Sequence, residues 1–212
     1  MIDIKFVREQ FPALERDFVF MDNAGGSQVL KQVTNKITEY LLHSNVQLGA
    51  SYAVSQETGD RLKASTQVVS ELINASRPEE IVMGSSTTML MRILSLSISK
   101  NWVKGDEIIV TNTDHEANVS PWTDLEQSGF KVKSWQINPE SLELDIKDLE
   151  HLLTDKTRLV AVTHASNVLG TINPVKQYAE IVHKAGALIC VDGVAYAPHR
   201  KVDVQELDVD FY

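Results

Sequence analysis

Residues 158–193 read RLVAVTHASNVLGTINPVKQYAEIVHKAGALICVDG. Two runs rich in Val and Ile, Arg158 to Thr163 and Ala187 to Asp192, flank a helical stretch from Val175 to Lys184 punctuated by Pro174 and Gly186. A strand, a helix and a strand at that spacing form a βαβ unit, which makes the two strands parallel. Upstream the same alternation recurs. Ile81-Val82-Met83, Glu107 to Thr111 and Phe130 to Ile137 read as strands; Thr87 to Ser99, Trp122 to Gln127 and Ile146 to Leu153 read as helices. The expectation is an α/β fold with a mostly parallel sheet and helices on both faces.

The N-terminal part is different. A short helix from Asp3 to Gln10 is stopped by Pro12, and Phe18-Val19-Phe20-Met21 reads as a strand entering the turn Asp22-Asn23-Ala24-Gly25-Gly26-Ser27. Two helical patterns follow: Val33, Ile37, Tyr40 and Leu41 share one face, and Leu62, Val69, Leu72 and Ile73 share another. Asn45 to Ser55 between them reads as a functional loop. The organisation expected is an N-terminal segment over residues 1–30 and a large domain over 31–212, with Asp208 to Tyr212 beginning a further strand.

Composition narrows the function classes. The chain has 212 residues, 43% hydrophobic, with 20 Lys+Arg against 29 Asp+Glu for a net charge of -9, which excludes a basic nucleic-acid surface. No apolar run nears the ~18 residues of a membrane span, and the N-terminus lacks a signal-peptide layout. A single cysteine, Cys190, forms no internal disulfide, so a cytoplasmic setting is expected.

In open α/β sheets ligands bind beyond the carboxyl ends of the strands. Those ends carry Gly84-Ser85-Ser86-Thr87-Thr88, Asp114-His115-Glu116-Ala117-Asn118, His164-Ala165-Ser166-Asn167 and Asp192-Gly193. The first is either a hydroxyl-rich helix cap or an anion cradle of amides, hydroxyls and helix dipole; it lacks the nucleotide P-loop pattern. His115 is either a surface histidine or a flat ring over a planar ligand; a zinc site of His115, Glu116 and His164 matches no established spacing. Asn167 is a turn cap or an amide donor. Asp192 ends an apolar run, where a carboxylate needs a cation or donors. Cys190 reads as a core residue. Together these groups match the phosphate, ring face, phenolic oxygen and pyridine nitrogen of pyridoxal phosphate.

Four ordered stretches carry a family resemblance: Met21-Asp22-Asn23-Ala24-Gly25-Gly26, Asp114 to Trp122, His164 to Gly170, and Val191-Asp192-Gly193. From about Phe20 to Tyr212 the chain resembles the class V aminotransferases of fold type I, and within them the cysteine desulfurases and desulfurase-like proteins. The resemblance implies that Ser86 and Thr87 hold the cofactor phosphate. It implies that His115 stacks on the ring and relays protons as the catalytic residue, that Asn167 bonds the phenolic oxygen, and that Asp192 pairs with the ring nitrogen. Asn23, Ala24 and Gly25 are implied near an amino-acid substrate. A homodimer with sites at the subunit boundary is also implied, with Asn45 to Ser55 reaching across it, as is a sulfur-acceptor protein partner. Ala195 departs from the glutamine usual in desulfurases, with Tyr196 and His199 nearby. By the same resemblance the Schiff-base lysine and the C-terminal small domain fall beyond Tyr212. Ile81-Val82-Met83 is therefore expected to stand apart from the other parallel strands. The alternative to an enzyme is an inactive binding or regulatory fragment that keeps the cofactor cradle.

Overall fold

The structure, a computed structural model, describes residues 2–212. The chain divides into two compact units, one up to Val68 and one from Val69 to Tyr212. The first holds helix α1 (Ile4–Glu9), capped by the Asp3 carboxylate, then α2 (Lys31–His43) and most of α3 (Ala53–Ile73). Phe18 to Met21 forms no strand and is largely exposed: alternating apolar residues make a strand only where another strand supplies hydrogen bonds. Asn45 to Ser55 is shorter as a loop than expected, because α3 begins at Ala53. The loop is tied down from that helix. Ser55 donates to the Gln47 carbonyl at 2.7 Å and accepts from the Ala50 N–H at 3.1 Å, and Thr58 donates to the Ser44 carbonyl at 3.0 Å. Val33, Ile37 and Leu41 share one face of α2 as expected, yet all three are exposed, as are Leu62 and Leu72 on α3.

The second unit contains α4 (Thr87–Ile98), β1 (Glu107–Thr111), α5 (Ser120–Thr123), β2 (Lys131–Trp135), α6 (Ile146–Leu152), β3 (Thr157–Thr163), α7 (Val175–Lys184), β4 (Leu188–Asp192) and α8 (Val204–Leu207). The helix expected from Trp122 to Gln127 is instead the single turn of α5 followed by a 3-10 segment, Asp124–Ser128, that ends at the left-handed Gly129. The four strands are all parallel, in the order β2-β1-β3-β4. Alternate residues point to opposite faces. Ile108, Val110, Leu159, Ala161 and Cys190 pack with Met91 of α4 and Trp122 of α5. Ile109, Val160, Val162, Ile189 and Val191 pack with Leu149 of α6 and Val175, Tyr178 and Val182 of α7. Burial on both faces makes a parallel sheet stable, and each buried Val, Leu or Ile contributes about 1.5–3 kcal/mol.

Ile81-Val82-Met83 is extended but pairs with no strand among the described residues, and Val82 and Met83 are exposed. That agrees with the expectation that it stands apart from the parallel strands. At the β4 edge, Asp208 to Tyr212 reaches the sheet through one parallel bridge, Cys190 to Phe211.

His183 fastens that last segment. Its Nε2 lies 2.9 Å from Asp210 Oδ2 and its Nδ1 3.4 Å from Asp208 Oδ2, while Asp210 also accepts the Ile189 N–H at 2.8 Å. A ring with carboxylates at both nitrogens must donate from both, which only the imidazolium does. Burial opposes that charge, but Asp210 and Asp208 outweigh it and hold the pKa above the ordinary 6.5. A raised folded-state pKa stabilises fully below about 6.5, and the gain is lost as pH rises through the folded value. The advantage of the natural protein over His183→Gln in thermal unfolding should therefore be about 1 kcal/mol at pH 6 and fade as pH rises through the folded value. An advantage independent of pH would refute the charge assignment.

Candidate functional site

Because the strands are parallel, Thr111, Trp135, Thr163 and Asp192 end at one edge of the sheet, with Thr111 paired to Trp135 and Thr163 to Asp192. Helix α4 runs back down the sheet. Its second turn touches β4, where Met91 Sδ meets Cys190 Sγ at 3.7 Å, and the chain after its C-terminus leads into the start of β1. The first turn of α4, with Ser86 and Thr87, therefore lies at the edge that carries Asp192.

Ser86 caps α4: its hydroxyl accepts the Met89 N–H at 3.2 Å. The cap reading is thus correct for Ser86, and it leaves the amides of Thr87 and Thr88 and the Thr87 hydroxyl without protein partners among the described residues. Gly84 passes close to the helix it precedes; a Cβ there would sit 2.5 Å from Leu90.

His115 is exposed and caps the short 3-10 segment Glu116–Asn118, its Nδ1 accepting the Ala117 N–H at 3.1 Å. That bond leaves Nε2 as the nitrogen available to anything above the edge. The zinc alternative gains nothing from this geometry. His164 is buried, stacked on Tyr196 at 3.5 Å between ring centroids, with Nδ1 2.9 Å from Tyr212 Oη. Burial lowers the His164 pKa to about 4, so the ring is neutral near pH 7.

Asn167 is half-buried, and its carboxamide makes no protein hydrogen bond among the described residues. Asp192 is 5% exposed. Its backbone carbonyl accepts the His164 N–H at 2.9 Å and its Oδ1 accepts the Val194 N–H at 2.8 Å. No described group donates to Oδ2. Gly193 follows because the Tyr212 ring occupies the space: a Cβ there would fall 2.2 Å from Tyr212 Cε1. Ala195 is half-buried, and its neighbour Tyr196 spends its ring on His164. Asn23, Ala24 and Gly25 lie in the first unit, where the Gly25 N–H donates to Asp22 Oδ1 at 3.0 Å and the Gly26 N–H to the Asn23 carbonyl at 3.3 Å.

Sequence reasoning passed over Asp114. Its carboxylate accepts from the Asn118 carboxamide at 2.6 Å, the Thr163 N–H at 2.9 Å and the Thr111 hydroxyl. Burial raises its pKa to about 6 against the pull of those three donors, and the nearby Asp192 adds to the rise. Its place beside His115 at a strand end was the available signal. The stack of His164 on Tyr196 had none, since it joins residues on separate loops.

Among the described residues no helix is long and apolar enough to cross a membrane. A sequence profile described as Aminotransferase class-V matches residues 19–212. The chain is 49% identical to the aminotransferase-like protein FGM3 of Gibberella zeae over 99% of its length, covering 53% of that protein. It is 38% identical to the cysteine desulfurase-like protein ustD of Aspergillus flavus, over all of this chain and 49% of that one. Among solved structures, the cysteine desulfurase CsdA of Escherichia coli superposes with a TM-score of 0.87 at 31% identity, over 100% of this chain and 54% of that one. The chain spans about half the length of each of these three proteins.

Proposed function

The chain belongs to the class-V aminotransferases, and on that premise we propose that the full-length protein is a pyridoxal-phosphate enzyme that acts on an amino acid by desulfuration or a related β-elimination. One observation carries the reading. Asp192 holds a nearly buried carboxylate with one oxygen fixed by Val194 and the other free of protein donors among the described residues, at the edge where the first turn of α4 offers unpartnered amides. A nearly buried carboxylate calls for a cation, and free helix amides suit an anion. The residues present therefore fit a ligand with a protonated ring nitrogen and a phosphate.

In this reading the Thr87 hydroxyl and the amides at the start of α4 hold the phosphate, with Ser86 keeping that turn in shape. The partnerless Asn167 carboxamide donates to the phenolic oxygen. His115 covers the ring face and offers Nε2 to move a proton. Asp192 keeps the ring nitrogen protonated. Pyridoxal phosphate, when bound, supplies an electron sink for the carbanion formed beside it. The name borne by several relatives makes cysteine the first substrate to assay, with a sulfur-accepting protein as the accompanying partner. The exposed apolar residues Val33, Ile37 and Leu41 support a homodimer, and the single cysteine supports a cytoplasmic location.

The test is spectroscopic. Full-length protein given pyridoxal phosphate should show a visible absorbance band that borohydride bleaches. A protein that stays colourless would sink the reading, and a band without turnover would favour the inactive binding module.

A further inference from the structure

We infer that Asp114 is a positioning residue: its carboxylate ties the His115 turn to the ends of β1 and β3 and so sets where His115 stands over the sheet edge. The inference rests on the role proposed for His115, but its evidence is separate. Three donors converge on Asp114. Oδ1 takes the Asn118 carboxamide at 2.6 Å, and Oδ2 takes the Thr163 N–H of β3 at 2.9 Å and the Thr111 hydroxyl of β1.

Asn118 has no freedom to turn. It is fully buried, and its Oδ1 accepts the indole N–H of the equally buried Trp122 at 3.3 Å, which leaves its amine to face Asp114. A chain of hydrogen bonds thus runs in one direction, from Trp122 through Asn118 to Asp114. Every donor in it points at position 114, so that position needs a group that only accepts, and an ionised carboxylate is that group. His115 lies inside this frame, between the anchored Asp114 and Asn118. The Asn118 N–H also donates to the His115 carbonyl at 2.9 Å, and Ala117 fixes the ring through Nδ1. His115 itself is exposed, so its position depends on these neighbours rather than on packing of its own.

The single substitution Asp114→Asn would set one carboxamide amine against that of Asn118. Exchanging the two side chains mends the conflict. The carboxamide, now at position 114, would accept from Thr111 and Thr163 and donate to the carboxylate at position 118, which would also accept from Trp122. The experiment uses the full-length protein loaded with pyridoxal phosphate and compares Asp114→Asn with the exchange Asp114→Asn/Asn118→Asp. Visible-region circular dichroism of the bound cofactor, kcat and KM, and the imidazole NMR signals of labelled histidine are read for each.

The single variant should keep its cofactor and its KM, lose at least half of the visible dichroism, lose about tenfold in kcat and shift the His115 signal. The exchange should return all three to within about threefold of the natural protein. Unchanged dichroism and kcat in the single variant would overturn the inference. So would an exchange that folds without restoring them, or the failure of both variants to fold, which would make Asp114 structural. A single variant that fails to fold while the exchange folds with natural dichroism supports it. If the natural protein binds no cofactor, the cofactor reading fails by itself; the His115 signal, shifted in the single variant and restored in the exchange, then still decides the role of Asp114.

Discussion

Replacing Asp192 by asparagine should lower the turnover of the full-length enzyme by about a hundredfold to a thousandfold while leaving the protein folded and loaded. Asparagine has the size of aspartate, and its carbonyl oxygen can accept the Val194 N–H that Asp192 Oδ1 accepts at 2.8 Å. The backbone bonds that seat the residue, from His164 and the Thr163 hydroxyl to the Asp192 carbonyl, do not involve the side chain. The substitution therefore removes the charge and little else. Removing one preorganised electrostatic partner at a developing charge typically costs ~10²–10³ in kcat. The phosphate cradle proposed at α4 and the contact proposed for the Asn167 amide are untouched, so cofactor content should persist and the loss should appear in kcat rather than KM. Cofactor content from absorbance and steady-state kinetics with cysteine check this. Full turnover in the variant would remove Asp192 from the chemistry.

The parts of the fold legible in the sequence were those that depend on local signals. Glu107 to Thr111 and Val175 to Lys184 match the observed elements residue for residue, because each is an unbroken run bounded by Gly, Pro or polar residues. The meeting of the strand ends was legible for a similar reason: parallel strands put their carboxyl ends at one edge whatever their order. Elements that need a distant partner were not legible. Phe18 to Met21 has the composition of a strand and no strand to pair with among the described residues, while the helix expected at Trp122 to Gln127 tightens into a 3-10 turn before Gly129. Asp114 was missed because its meaning comes from Thr163, which lies 49 residues further along the chain, and only the register of β1 and β3 brings the two together.

The largest effect on stability should come from the opposite edge of the sheet, with Lys133→Met. Glu107 opens β1 at 8% exposure, and its Oε2 takes the Lys133 ammonium of β2 at 2.6 Å and the Thr154 hydroxyl at 2.6 Å. The same ammonium donates to the Leu152 carbonyl at 2.8 Å. Burial raises the Glu107 pKa, yet Lys133 and Thr154 reverse this and hold it below the ordinary value. Removing the lysine strands a buried carboxylate beside one hydroxyl. Breaking such a pair costs ~3–5 kcal/mol when it is fully buried; with the Lys133 side chain 26% exposed, about 2–3 kcal/mol is expected after allowance for solvent screening. The melting temperature should then fall by roughly 4–12 °C at pH 7. Because the folded-state pKa of Glu107 is depressed, its contribution is present above the unfolded value near 4.5 and is lost as pH falls through the folded value. The gap between natural protein and variant should therefore close as pH falls below 4.5 and through the folded value. The double variant Glu107→Leu/Lys133→Met should recover most of the loss at pH 7, since exchanging both charges for apolar groups is close to neutral. A single variant that melts with the natural protein at pH 7, or a deficit that persists unchanged in acid, would show that this pair does not hold the lower edge of the sheet.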